Sequence, residues 1–178
     1  MTAGATGGAA TRGDEVDRIV RQWEAAVPQI DARALEVFSR ISRIAHHLET
    51  VRRDAFASHG LDAWEFDVLS ALRRAGAPYE LTPGALMQDT LVTSGTITSR
   101  VEKLQARGLV TKSPAPGDGR SVVVRLSTDG IALVDRAIAS LIGAEDALLA
   151  HLPEGADRAL ASSLRALLIG IEAPAPRP

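Results

Sequence analysis

The stretch that most limits what this chain can fold into runs over residues 81–130. Thr82-Pro83 reads as a helix start, a cap followed by proline in the first turn. A second helix, 93–107, is rich in Ser and Thr and ends at Gly108. Two runs of β-formers follow, 109–113 and 121–127, around a Pro/Gly-rich loop of Pro114, Ala115, Pro116, Gly117, Asp118, Gly119 and Arg120. Two short helices and a hairpin in this order predict a winged helix-turn-helix, a device for presenting a helix to duplex DNA.

Within the second helix, Ile97, Val101 and Leu104 form one apolar stripe at i, i+4 and i+7. The opposite surface offers Ser94, Thr96, Thr98, Ser99 and Lys103, beside Thr93 at the start. Small hydroxyls near a helix N-terminus can reach base edges and thymine methyls in a major groove, and the N-terminus favours phosphate. The bland alternative is a merely solvated face. Ser and Thr are poor helix formers, however, and a face chosen for stability would carry Glu, Lys and Ala. Arg120, just past the loop tip, is placed to enter an adjacent minor groove. Asp118 repels phosphate and is read as fixing the wing, through backbone N–H bonds or an arginine.

Charge does not carry this reading. The chain has a formal net charge of −2. Between residues 80 and 130, Arg100, Lys103, Arg107, Lys112, Arg120 and Arg125 face Glu80, Asp89, Glu102, Asp118 and Asp129. A DNA-binding surface therefore depends on where the bases sit.

The flanks supply helices. Residues 1–13 are Gly, Ala and Thr-rich and, like 173–178, read as disordered tails around a single domain over 14–172. A short helix starts at Asp14 and is closed by Pro28. It carries Trp23, either an anchor to the body or a ligand-stacking ring. A long helix spans 31–59. Asp62 and Glu65 form a capping box for a helix reaching Arg74. Asp67 in that helix is either solvated or a buried acid lining a pocket. Two further helices, 128–151 and 154–171, are more apolar than one wing requires. Together with the helices over 14–59 they predict a dimer interface joining two winged lobes.

The fold expected is thus mainly α with a β-hairpin wing, flanked by long N- and C-terminal dimerisation helices. With no cysteine there is no thiol chemistry or Cys-based zinc site, and His46 and His47 are adjacent and cannot share a helix face. No membrane span or signal peptide is visible, so a cytoplasmic location is expected, with no membrane partner. No nucleophile with a base, no phosphate-cradling loop and no metal spacing is present, so neither an enzyme nor a cofactor is expected. The alternative to a DNA reader is a winged-helix module that binds proteins, which should expose Leu or Phe where this chain offers Ser, Thr and Arg120.

Asp118-Gly-Arg-Ser-Val-Val-Val-Arg-Leu-Ser-Thr-Asp-Gly130, with the helix and strand before it, resembles the wing signature of the MarR family of bacterial transcriptional regulators. Ser127 stands where that family usually has Thr. The resemblance covers about residues 31–171. It implies an obligate homodimer that binds double-stranded DNA at a pseudo-palindromic operator, usually as a repressor, and is released by a small aromatic or anionic effector. Glu65-Phe-Asp-Val-Leu69, Pro78-Tyr-Glu-Leu-Thr-Pro83, Ser94-Gly95, Arg100 and the N-terminal helix with its Trp are similar to the urate-responsive branch of that family. This narrower likeness implies a ligand site of Trp23, Asp67 and Arg100. Ala75 and Lys112 depart from that branch's polar or arginine contacts, so a related purine or a small carboxylate is as good a candidate as urate.

Overall fold

A computed structural model describes residues 13–115 and 118–173; of residues 115 and 118–121 only the backbone is described. The tails expected at 1–13 and 173–178 lie outside the described residues, apart from Gly13 and Ala173. The chain divides into two compact units at residues 50 and 51, within one continuous helix.

The first unit holds α1 (Glu15–Ala26) and most of α2 (Arg33–Ala57). Asp14 caps α1: its carboxylate accepts from the Asp17 amide at 3.0 Å, and Asp17 accepts from the Asp14 amide at 2.8 Å. Val16, Val20 and Ala32 make a small apolar core with Leu35 against it. Arg40 on α2 clamps the cap, donating to Asp14 at 2.7 and 3.0 Å and to Asp17 at 2.5 Å. α1 is thus held by two valines and one guanidinium. Trp23 remains 49% exposed and is not part of that core.

The second unit is built around α3 (Ala63–Arg74), whose Phe66, Val68, Leu69, Ala71 and Leu72 are buried. The last turn of α2 joins this core through Phe56, stacked on Phe66 with ring centroids 4.1 Å apart. α2 then stops as a left-handed turn should: Gly60 has φ 65, Leu61 N–H reaches the Phe56 carbonyl at 3.1 Å, and both side chains are buried together. α4 (Pro83–Thr90) and α5 (Ser94–Ala106) complete the helix-turn-helix. Both have the expected hydroxyl caps, Thr82 to the Ala85 amide and Thr93 to the Thr96 amide. Ile97, Val101 and Leu104 are buried, so the predicted stripe is what seats α5.

The wing differs from the sequence expectation in two ways. β2 (Val110–Ala115) and β3 (Asp118–Leu126) are longer than the predicted arms, and the loop is correspondingly shorter. Pro114 looked like a loop residue, but β2 is an edge strand in the order β1-β3-β2, where a missing N–H is tolerated. The pairing runs from Val110 opposite Leu126 to Pro114 opposite Val122, with an irregularity between Pro114 and Ala115. The second difference is an unforeseen strand, β1 (Glu80–Leu81), which pairs Glu80 with Arg125 and Leu81 with Val124.

Ser127 ends the wing and caps α6 (Thr128–Leu149). Its hydroxyl accepts from the Gly130 amide at 3.0 Å and donates to the Gly108 carbonyl at 2.7 Å. It therefore does the cap's work in place of threonine. Gly130 is buried against the end of α5: a Cβ there would lie 2.2 Å from the Leu109 carbonyl oxygen. α7 (Ala156–Glu172) buries no residue within the chain, and Leu160, Leu164, Leu168 and Ile171 are all exposed. Ile138 and Ile142 of α6 are exposed as well.

Two outcomes follow. Gly130→Ala forces backbone to move at the junction of α5, β2 and α6, so a loss of about 1–3 kcal/mol is expected in denaturant unfolding. In the first unit, hydrogen bonding to Arg40 holds the Asp14 carboxyl below its usual 3.8. A depressed native value means the unfolded state takes up the proton first. The stabilisation is therefore complete above about pH 3.8 and lost as pH falls through the native value. Amide protection in α1 should decline across that acid range in the native chain. In Arg40→Gln it should be lower at neutral pH and fall little further in acid.

Candidate nucleic-acid interface

α5 leaves the core with its polar side outward. Ser94, Thr98, Ser99 and Lys103 are exposed, Thr96 is half-buried, and Thr93 is exposed at the cap. Three hydroxyls are partly committed locally. Thr93 Oγ1 serves the Thr96 amide and lies 2.9 Å from Thr96 Oγ1, and Thr98 Oγ1 donates to the Ser94 carbonyl at 3.0 Å. Ser94, Ser99 and Lys103 make no protein hydrogen bond through their side chains among the described residues. The side chains of Asp118 and Arg120 lie outside the described residues.

The helix is fixed at its far end by charge. Glu65 of α3 is 5% exposed, and Arg107 Nη1 lies 2.6 Å from both of its carboxylate oxygens. Arg107 Nη2 also donates to the Gly60 carbonyl at 3.0 Å. The same Glu65 accepts from the Asp62 amide at 2.9 Å, closing the capping box. The buried acid of α3 is thus Glu65. Asp67 is exposed, which corrects the buried-acid alternative and agrees with the solvated-face one.

Two other cations of the lobe are also paired with carboxylates. Arg125 meets Glu80 at 2.6 Å across the sheet, and Arg73 meets Asp135 at 2.8 Å. Lys112 approaches Glu102 at 4.0 Å. Arg100 and Lys103 differ: no carboxylate among the described residues lies within ion-pair distance of either. Both lie instead against the indole of Trp64, at 5.6 and 5.8 Å from the ring centroid. With Gly95, Thr96 and Ser99 they line an open cavity of about 440 Å³.

The residues of the expected ligand trio are divided between the two units. Trp23 belongs to the first unit, and Asp67 and Arg100 to the second. Asp67 lines a separate cavity of about 240 Å³ with Ser70, Arg74, Asp89, Thr90 and Leu91. The indole beside Arg100 is Trp64, which the sequence pattern did not single out. No local signal marks it, because Arg100 belongs to a different helix. Leu91, between α4 and α5, has φ 53 and is 91% exposed, a lone apolar side chain at the edge of this surface.

Comparison with known proteins decides the family. Over 158 residues the chain is 33% identical to the HTH-type transcriptional regulator PecS of Dickeya dadantii, covering 89% of this chain and 93% of PecS. The chain belongs to the MarR family. The MarR family model itself matches residues 59–121, from the end of α2 into the wing. Among solved structures, Bordetella bronchiseptica BpsR, described as regulated in its DNA binding by 6-hydroxynicotinic acid, is 26% identical with TM-score 0.60 over 74% of this chain and 91% of that one. A cysteine-to-serine mutant of Escherichia coli MarR, complexed with operator DNA, shares the fold, with TM-score 0.63 and 22% identity over 82% of this chain and 97% of that one.

The Glu65–Arg107 pair gives this interface a direct test. Arg107→Met leaves a buried carboxylate without its cation and should destabilise the chain by about 1–3 kcal/mol in denaturant unfolding. Adding Glu65→Leu should recover most of that loss, because the unpaired charge is then gone.

Proposed function

We propose that this MarR-family chain is a dimeric transcriptional repressor that binds a pseudo-palindromic operator and is released from it by a small aromatic or anionic effector. The observation that carries the reading is the α5 surface. Ile97, Val101 and Leu104 hold the helix to the lobe, while Ser94, Ser99 and Lys103 face outward with no side-chain hydrogen bond among the described residues. Thr93, Thr96 and Thr98 border that face, and Arg120 and Asp118 belong to the adjoining wing. Likeness to operator-bound MarR supports the fold of such a reader.

The dimer is supported by apolar surface without a partner. α7 buries nothing within its own chain, and Leu160, Leu164 and Leu168 recur on one side of it. That is the pattern of a helix that completes its core against a second copy. The effector reading rests on the resemblance that points to Trp23, Asp67 and Arg100, and on BpsR, whose DNA binding is described as regulated by an aromatic acid. Asp67 adds a structural point, since it borders an open cavity next to Arg74 and the α4–α5 turn. An anion arriving there would be repelled by Asp67 and attracted by Arg74, and the balance would act on the turn that leads into α5.

Selection of bound duplexes from a random pool by the full chain, at fixed salt, tests the reading. Recovery of a pseudo-palindrome with half-sites about 10 bp apart is expected, because two reading helices of one dimer lie about 34 Å apart. A folded dimer that enriches no sequence, even after removal of bound small molecules, would overturn it.

A further inference from the structure

The cations of the winged lobe are not equivalent. Arg73, Arg107 and Arg125 each carry a carboxylate partner at hydrogen-bond distance, and Lys112 has one at 4.0 Å. Such pairs present little net charge to a ligand. Arg100 and Lys103 are held by a neutral surface instead, the Trp64 indole. An aromatic face attracts a cation through its quadrupole without neutralising it. The positive charge therefore stays available while the flexible side chain is confined.

The indole is itself fixed. Its Nε1–H donates to the Asp62 carboxylate at 3.2 Å, at the N-cap of α3, and its ring packs on the lobe's core. The polar edge is thus satisfied, and the ring face is left for the cations. The cavity beside it is completed by Gly95, Thr96 and Ser99 from the first turns of α5, the helix proposed to enter the groove. A pair of confined, unneutralised cations with hydroxyls on the flank of a reading helix suits the chemistry of a backbone phosphate, which lines each side of a major groove.

We propose that Trp64 is a positioning residue for DNA binding: it holds Arg100 and Lys103 over its ring as a preorganised cation site for operator backbone phosphate beside α5. This rests on the operator-binding reading above and gives Arg100 a role on the DNA rather than around an effector. The site sets affinity and register, and base preference is left to the hydroxyl face.

The test is the salt dependence of binding to the selected operator, measured on the full-length dimer. For each phosphate that is no longer neutralised, the slope of log K against log salt should become shallower by about 0.9. The Arg100→Gln/Lys103→Gln double variant, which removes both charges, should show at least that change. It should lose affinity by the same factor on the operator and on unrelated duplex. Trp64→Leu should shift the slope the same way although it removes no charge, and Trp64→Phe should restore most of it. Circular dichroism melts identify any loss due to unfolding, and the double variant carries the test if Trp64→Leu does not fold.

Unchanged slopes in the double variant would overturn the inference while leaving operator binding intact. So would a change in base preference with the slope unaltered, which would mean base contacts. Loss of effector response with unaltered DNA affinity would return Arg100 to an effector site. If the native dimer enriches no duplex at all, the operator-binding reading itself has failed.

Discussion

One ion pair with a buried carboxylate sets the frame on which the DNA-facing helix is mounted. Glu65 is enclosed at the start of α3, and Arg107 leaves the end of α5 to meet it, 42 residues later in the chain. The same guanidinium binds the carbonyl of Gly60, and the same carboxylate closes the α3 cap. Three chain ends that would otherwise be separate turns are tied at one point. Hydrophobic burial along Ile97, Val101 and Leu104 fixes the distance of α5 from the core, but such contacts are non-directional. The charge pair supplies direction, since a carboxylate and a guanidinium meet well in few geometries.

A near-neutral net charge conceals an uneven arrangement. Arg73 of α3, Arg107 at the end of α5 and Arg125 of the sheet are used internally, against Asp135, Glu65 and Glu80. The pair on the outer side of α5 is not. Summed over the sequence, these contributions cancel. Distributed in space, they separate structural arginines from those turned toward a partner. Local field, and not total charge, is what a polyanion meets at close range.

Much of the helix-turn-helix was legible in the sequence because its signals are local. Asp62 with Glu65, Thr82-Pro83, Thr93 and Ser127 each cap the helix they precede, and the apolar spacing of α5 marks its buried side. What escaped was non-local. Two residues of β1 are too few to show alternation, and only the returning β3 makes them a strand. Asp67 looked like the acid worth explaining because it sits in an apolar run, but burial fell on Glu65, whose partner is remote. Trp23 drew attention as an isolated indole, while Trp64 was hidden among core residues. Its exposed face is visible only once α5 is placed beside it.

The two tryptophans are divided between the two units, Trp23 half exposed in the first and Trp64 against cations in the second. The chain has no others, and a single tyrosine. Its tryptophan emission therefore consists of two signals, one for each unit. Replacing either indole by phenylalanine isolates the other as an internal optical reporter. The ring that confines the cations of α5 is thus also a built-in spectroscopic probe of whatever approaches that helix.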